Sequence, residues 1–540
     1  MERGGAQGTK GEMMRGVLHW FATGPDAPPI GDMARVRRLY GIKRWSVFLS
    51  ILLGYSVFYV CRQSFAITKK AMLDEGILDV QQMGNIGTAL LITYAVGKFV
   101  NGFLADRANV RRFMATGLMA VAVTVALFGA NKYYSLFFLL WGLHGWFQSM
   151  GAVPSGVALS QWFSNRERGS WYSFWSASHS IGEGLSLFLT AGVVTWLGWR
   201  YGFWAAAALA GVAALVMYKT LSDRPETCGL PNVADYRNDH ASDQSSVPLT
   251  TAQAQREVFR NPYVWIVCLA SLAMYITRYG MNSWGVLYLQ ETKEYSLLAA
   301  GGLLSLAKIL ETVGTVASGF ISDVFFKSRR SVVTIASCVF MVGGLALFAV
   351  TPSTDLGDLP TEMRPHLHAE GAVDPVLRAA LAELGVSTDD ATRFSGSGDE
   401  KSPGWVLRSN SWFSGWGGCR VVDTGDRLRV FKNYQIQHLV GASIYGMGIG
   451  CLIAFLGGLI AIDICSKKAS GAAMGVVGIC SYIGATLQEQ VSGRLIQAGM
   501  TVSETGATTH DFSAAMTFWM GSAVASLVLS CFLWNARARD

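Results

Sequence analysis

Charge is scarce in this chain: Asp, Glu, Lys and Arg make up 15% of its 540 residues, against about 25% in an ordinary soluble domain. That scarcity excludes a disordered chain and a typical cytosolic enzyme. A disulfide or metal framework is missing too. The nine cysteines are scattered, with no C-x-x-C pair, and most lie in or beside apolar runs. Small buried side chains are their expected role. His366 and His368 form a lone H-x-H, too little to hold a metal. No nucleotide-binding loop, zinc signature or catalytic-triad pattern occurs, so no cofactor and no enzymatic activity are expected. The first 44 residues are polar and basic, without an apolar core before a cleavage site, so no signal peptide is expected.

Apolar surface is abundant. Hydrophobic residues are 51% of the chain, with 60 Gly, 28 Phe and 17 Trp. This is the composition of a polytopic membrane protein. The net charge of +7 needs no nucleic acid, because cytoplasmic Lys and Arg account for it. A bilayer core takes roughly 20 apolar residues per helix. Twelve runs meet that length: 45–71, 84–104, 113–129, 135–163, 170–197, 201–221, 264–289, 297–321, 331–350, 439–464, 471–496 and 512–534. Barrel strands are far shorter and alternate in polarity, so helices are expected.

These runs predict an all-α membrane protein with an N-terminal six-helix bundle (45–221) and a central loop (222–261). Helices 7–9 (262–350) and 10–12 (439–534) form the second bundle around an insertion, 351–438. A basic segment (1–44) and a short tail (535–540) flank the bundles. Ten Lys and Arg lie in the short loops after helices 2, 4, 8 and 10, and five in those on the other side, Lys69 and Lys70 among them. The N-terminal segment adds eight to the richer side. Both termini and the central loop are therefore expected in the cytoplasm of a cell inner (plasma) membrane protein, and the insertion outside it.

The halves echo each other. Tyr59-Val-Cys-Arg62 matches Tyr275-Ile-Thr-Arg278, and Gly102-Phe-Leu-Ala-Asp106 matches Gly319-Phe-Ile-Ser-Asp323. The Arg-to-Asp separations are 44 and 45 residues. Two matches in order at this spacing imply a six-plus-six duplication, the layout of major facilitator transporters. Particular motifs then carry a closer resemblance. Gly54-Tyr55 through Arg62-Gln63-Ser64-Phe65, Lys98-Phe99, Gly145-Trp146-Phe147-Gln148-Ser149-Met150-Gly151 and Trp175 to His179 carry it in the first half. Arg224-Pro225-Glu226-Thr227-Cys228-Gly229 in the central loop, Trp284-Gly285-Val286-Leu287-Tyr288-Leu289 and Lys468-Ala469-Ser470-Gly471 extend it. Over about 45–350 and 440–530 the chain resembles the organophosphate:phosphate antiporters, with wording most similar to their hexose-phosphate sensor and transporter branch. It departs from them at Lys308, where that family usually carries Glu, and at Cys451, where some members carry a binding-site Tyr. The insertion has no counterpart in the family.

Arg62 and Arg278 are the leading site candidates. An Arg within a span costs roughly 2.5–3.5 kcal/mol on insertion scales. Arg278 lies near the middle of its run, where snorkelling to the interface is difficult. A guanidinium matches phosphate bidentately, so two of them facing one cavity would clamp one phosphate. The resemblance adds His179 and Lys98 to the binding set. Taken alone, His179 could equally be a hydrogen-bonded core residue, and Lys98 could snorkel. Trp175, one turn before His179, covers the sugar or packs. Tyr55, Tyr59 and Tyr275 share helix faces with the arginines; they and Tyr482 donate to phosphate or pack between helices. Lys308 and Glu311, three apart, form an ion pair or present Lys308 to substrate. Asn282, Cys451 and Glu489 are further selectivity candidates, and Glu489 has Arg494 nearby as an ion-pair alternative. Asp106, Arg107 and Asp323 read as gate residues at loop turns.

Within the insertion, Asp374-Pro375 to Gly385 reads as a short capped amphipathic helix. Ser395-Gly396-Ser397-Gly398 reads as a flexible joint. Trp405, Trp412 and Trp416 suggest packing on the insertion itself or on a membrane surface. The resemblance implies exchange of a phosphorylated sugar or polyol, hexose 6-phosphate first, for inorganic phosphate. The competing reading is a transporter-like receptor that signals to a partner, and the insertion is a candidate for an extracytoplasmic partner.

Overall fold

Among the described residues of the computed structural model, twelve long helices carry the apolar runs. They are α1 (Met33–Asp74), α2 (Val80–Ala105), α3 (Val110–Gly129), α4 (Tyr134–Trp162), α5 (Asn165–Leu197), α6 (Trp199–Thr220), α7 (Pro262–Glu291), α8 (Leu297–Phe325), α9 (Arg330–Val350), α10 (Ile436–Ala454), α11 (Ser470–Ala498) and α12 (Ser513–Cys531). The structure describes residues 20–105, 108–237, 258–326, 329–367, 374–384, 386, 393–397, 404–408, 419–423, 426–464, 470–502 and 508–534.

Helix starts follow local chemistry. The Asn109 side chain accepts from Arg112 N, and Asn261, followed by Pro262, accepts from Tyr263 N. Both satisfy amide donors that a helix N-terminus leaves open. Among the described residues nine helices are long and apolar enough to cross a membrane. The long helices outside that set are α2, α4 and α11. They carry Lys98 and Asn101, His144 and Gln148, and Gln488, Glu489 and Arg494, polar side chains that a lipid-facing helix would not tolerate.

α1 begins twelve residues ahead of the first apolar run. Its basic first turns have one buried edge: Val36 is 1% exposed, and Tyr40, fully buried, stacks on Tyr236 at 3.9 Å. Arg44 pairs with Glu167 at 2.6 Å. Burial there stabilises helix where hydropathy alone sees a polar segment.

The chain divides into two compact units that do not follow the six-plus-six boundary. One comprises 1–64, 85–186 and 203–254; the other comprises 65–84, 187–202 and 255–540. The α1–α2 turn and the α5–α6 turn therefore group with α7–α12. Lys69 explains part of this. Counted in the sequence as a loop charge, it is 1% exposed. Its Nζ lies 3.3 Å from the Trp284 ring centroid and 4.0 Å from Glu489 Oε2. Lys70 pairs with Glu291 at 2.6 Å. Glu489 accepts from Trp284 Nε1 at 3.1 Å, so its partners come from other helices and the alternative of an Arg494 pair is not realised in these contacts.

The insertion folds on a five-stranded antiparallel sheet in the order β1-β5-β4-β3-β2. Its strands are β1 (Asp355–Leu359), β2 (Arg393–Ser397), β3 (Gly404–Arg408), β4 (Cys419–Asp423) and β5 (Leu428–Lys432). Alternating residues on β4 and β5 put Cys419, Val421, Leu428 and Val430 on one face, with Leu377 and Leu381 in the same buried cluster. Those two leucines come from a helix over Pro375–Glu383 whose first turn is capped by Asp374. The cap amide of Val376 and the His366 ring hold the Asp374 carboxyl below its usual range. Ser395–Ser397, expected as part of a joint, belong to β2, where Ser395 pairs with Val406 and Ser397 with Gly404. Strand pairing overrides the local flexibility of a Ser-Gly sequence. Gly398, Trp412 and Trp416 lie outside the described residues.

The opposite sheet face docks on the α7–α8 turn. Thr354 N and Oγ1 both donate to Lys293 O, at 2.9 and 3.0 Å. Arg420 donates to Glu294 O at 2.7 Å, and Glu294 adopts φ 59. Lys432 N donates to Thr354 O at 2.7 Å, so the chain enters and leaves the insertion at one point. Excising 355–432 and joining the ends with a short linker should therefore leave a folded membrane domain. Its phosphate affinity, read by radioligand binding, should stay within severalfold of the full chain. Loss of binding in a folded deletion variant would place the insertion in the site.

Candidate functional site

In the first unit the site is built by close helix approach. A Cβ on Gly182 of α5 would collide with the Ser56 carbonyl of α1, and Ser56 Oγ donates to Ser178 O at 2.9 Å. Small residues permit such contact where lipid offers no hydrophobic drive. This contact brings Trp175 and His179 to the tyrosines of α1. Tyr55 stacks on Trp175 at 5.0 Å, Tyr59 lies 5.2 Å from Tyr55, and the His179 ring is 5.8 Å from Tyr59.

Arg62, one turn further, holds its guanidinium 5.7 Å from the Tyr59 ring and 5.4 Å from Tyr94. Lys98 Nζ is 5.6 Å from the same Tyr94 ring, and the Tyr94 and Tyr55 hydroxyls are 3.5 Å apart. Six expected residues, Tyr55, Tyr59, Arg62, Lys98, Trp175 and His179, thus form one chain of contacts with Tyr94, which the structure adds. The negative faces of such rings attract a cation placed over them.

Three further groups escaped the sequence reading. Tyr94 lies one turn before Lys98. His144 and Gln148 on α4 are fully buried, and both ring nitrogens of His144 and both amide atoms of Gln148 make no protein hydrogen bond. His144 stacks on Trp141 at 4.6 Å. The available signal was a His and a Gln four residues apart in an apolar run, where a buried polar group requires a partner.

In the second unit, Arg278 is 5% exposed on α7, and its Nη2 donates to Glu311 Oε1 at 2.9 Å. The other oxygen, Glu311 Oε2, accepts from Lys308 Nζ at 2.7 Å. The Lys308–Glu311 ion pair is thus present, and Arg278 extends it to three charges. A Cβ on Gly450 of α10 would meet the Glu311 carbonyl, so α8 is held where Glu311 reaches α7. Tyr275 lies 5.8 Å from Tyr279 and 6.2 Å from Tyr482. Cys451 Sγ donates to Gly314 O at 3.3 Å and packs α10 on α8. Asn282 is buried. Glu489 is engaged by Trp284 and Lys69. Asp106 and Arg107 lie outside the described residues, as does the side chain of Asp323.

Residues 51–359 match the Major Facilitator Superfamily. A probable hexose phosphate transport protein of Chlamydia trachomatis is 34% identical over 327 residues, 58% of this chain and 71% of that one. The membrane sensor protein UhpC of Salmonella typhimurium is 34% identical over 338 residues, 61% and 76% of the two chains. A glycerol-3-phosphate transporter of Bacillus subtilis is 32% identical, covering 61% and 74%. The crystal structure of a bacterial homologue of the lysosomal transporter Spinster, inward-facing and unoccupied, superposes with TM-score 0.57 at 14% identity, covering 92% of this chain and 95% of that one. The family match and the long apolar helices define an integral membrane protein of the major facilitator fold. Within that superfamily the chain belongs to the organophosphate:phosphate antiporter family.

Proposed function

We propose that the protein is a secondary active transporter that exchanges a phosphorylated sugar, hexose 6-phosphate first among candidates, for inorganic phosphate by alternating access. One observation carries the reading: α1 and α7 each hold a guanidinium beside a tyrosine ring, Arg62 beside Tyr59 and Arg278 beside Tyr279, and these two arginines are the ones that match between the halves of the sequence. Arg62 and Arg278 are the phosphate ligands, with Lys98 and His179 as further contacts and the Tyr55–Trp175 stack against the sugar. A bound phosphate, with nearly two negative charges, offsets the charge of the two guanidinium groups as the site closes, so crossing requires an anion and the protein exchanges rather than leaks. The positive-inside rule supports cytoplasmic termini with the insertion on the opposite side.

A receptor that binds sugar phosphate and signals is the second reading, favoured by a sensor protein matching at the same 34% identity as a transport protein. Uptake of labelled glucose 6-phosphate into phosphate-loaded proteoliposomes separates the two. A transporter takes up label only when phosphate or an organophosphate is inside. Binding without exchange or net uptake would establish the receptor, and rapid net efflux into anion-free medium would overturn obligatory exchange.

A further inference from the structure

We propose that Glu311 is a resident counter-anion of Arg278 which the phosphate of the substrate displaces, and that Lys308 retains Glu311 while it is displaced. The inference rests on the phosphate-exchange reading and adds a residue pair that sets how tightly the site takes its anion. Lys308 and Glu311 are neighbours on one helix and could satisfy each other alone. Instead the carboxylate divides its oxygens, Oε1 to Arg278 at 2.9 Å on α7 and Oε2 to Lys308 at 2.7 Å on α8. All three side chains are at most 7% exposed, so solvent does little to weaken the contacts.

A carboxylate that lends Arg278 one oxygen is a weaker partner than a phosphate that can lend two, because the planar fork of the guanidinium rewards bidentate acceptors. Phosphate therefore wins the exchange. The displaced carboxylate is not left bare, which would cost far more than the exchange gains, because Lys308 sits one turn back on the same helix. The α8 backbone is fixed locally: Thr315 Oγ1 bridges the Glu311 and Gly450 carbonyls at 2.9 and 3.0 Å. The exchange is thus a side-chain rotation. When substrate leaves, Glu311 returns to Arg278 and assists release. Glu311 and Lys308 act through Arg278 and are positioning residues.

The test is binding of inorganic phosphate and of glucose 6-phosphate to purified full-length protein, with exchange in proteoliposomes measured in parallel. Glu311→Gln should tighten phosphate binding about tenfold and lower the maximal exchange rate, because release loses its competitor. Glu311→Asp should fall between. Lys308→Met should weaken binding about tenfold, since Glu311 can then give both oxygens to Arg278. The double variant Lys308→Met/Glu311→Gln removes both charges together, should fold, and should bind like Glu311→Gln. A merely structural pair would lower affinity and rate together in every variant. Binding by folded Glu311→Gln or by the double variant that is unchanged within twofold, or weaker, overturns the inference while leaving phosphate exchange intact. Failure of the wild-type protein to bind either phosphate compound overturns both.

Discussion

Arg278→Lys should lower phosphate exchange about 100-fold while the protein stays folded, a loss of roughly 3 kcal/mol and of the order of a charged hydrogen bond. The charge is unchanged, so Glu311 keeps cationic partners and its burial is not newly penalised. What disappears is the planar fork, which donates two parallel N–H groups to phosphate where an ammonium offers a point charge. Arg62→Lys should behave alike for an additional reason. Its guanidinium lies within 6 Å of the Tyr59 and Tyr94 ring centroids, and a compact, strongly hydrated ammonium fits that aromatic seat poorly. Counterflow of radiolabelled phosphate in proteoliposomes reads the rate, and size-exclusion elution reads the fold. Near-normal exchange by either variant would remove that arginine from the site.

Lys69→Met should destabilise the second unit by about 3–5 kcal/mol, the range for breaking one partner out of a buried pair. Lys69 and Glu489 are 1% and 3% exposed, and Trp284 is fully buried between them in chemistry, with its ring under the ammonium and its N–H on the carboxylate. Methionine keeps the volume against the indole but leaves Glu489 charged with only neutral partners in this cluster. Adding Glu489→Gln removes that charge, so the double variant should recover most of the loss. Thermal unfolding in detergent gives the ranking, and hydrogen exchange over 65–84 should rise in the single variant and fall back in the double one. Equal destabilisation of the single and double variants would mean that packing, not charge, holds the α1–α2 turn to α7 and α11.

Particular elements show where sequence reading reaches and where it stops. Lys308 with Glu311 is legible as a pair because three residues make one helical turn. That Arg278 shares the same carboxylate is not legible, because 33 residues and a turn separate them. Glu489 illustrates the same limit: Arg494 is its neighbour in sequence, while Lys69 and Trp284 are its neighbours in space. The Ser395–Ser397 segment has the composition of a joint and becomes a strand once β3 pairs with it. His144 and Gln148 were visible as polar residues in an apolar run, yet nothing local says that both are wholly enclosed.

The sequence by itself determined the membrane class, the superfamily and the two intramembrane arginines. Each follows from properties carried within one helix or repeated along the chain: hydropathy over a run, a 44- or 45-residue spacing, the cost of a charge in lipid. Only the tertiary structure decided which charges neutralise which, that Lys69 is a buried core residue, and that the insertion folds on its own sheet and clasps the α7–α8 turn. Those outcomes depend on contacts between segments far apart in the chain. Their energies come from burial and geometry that no window of sequence contains.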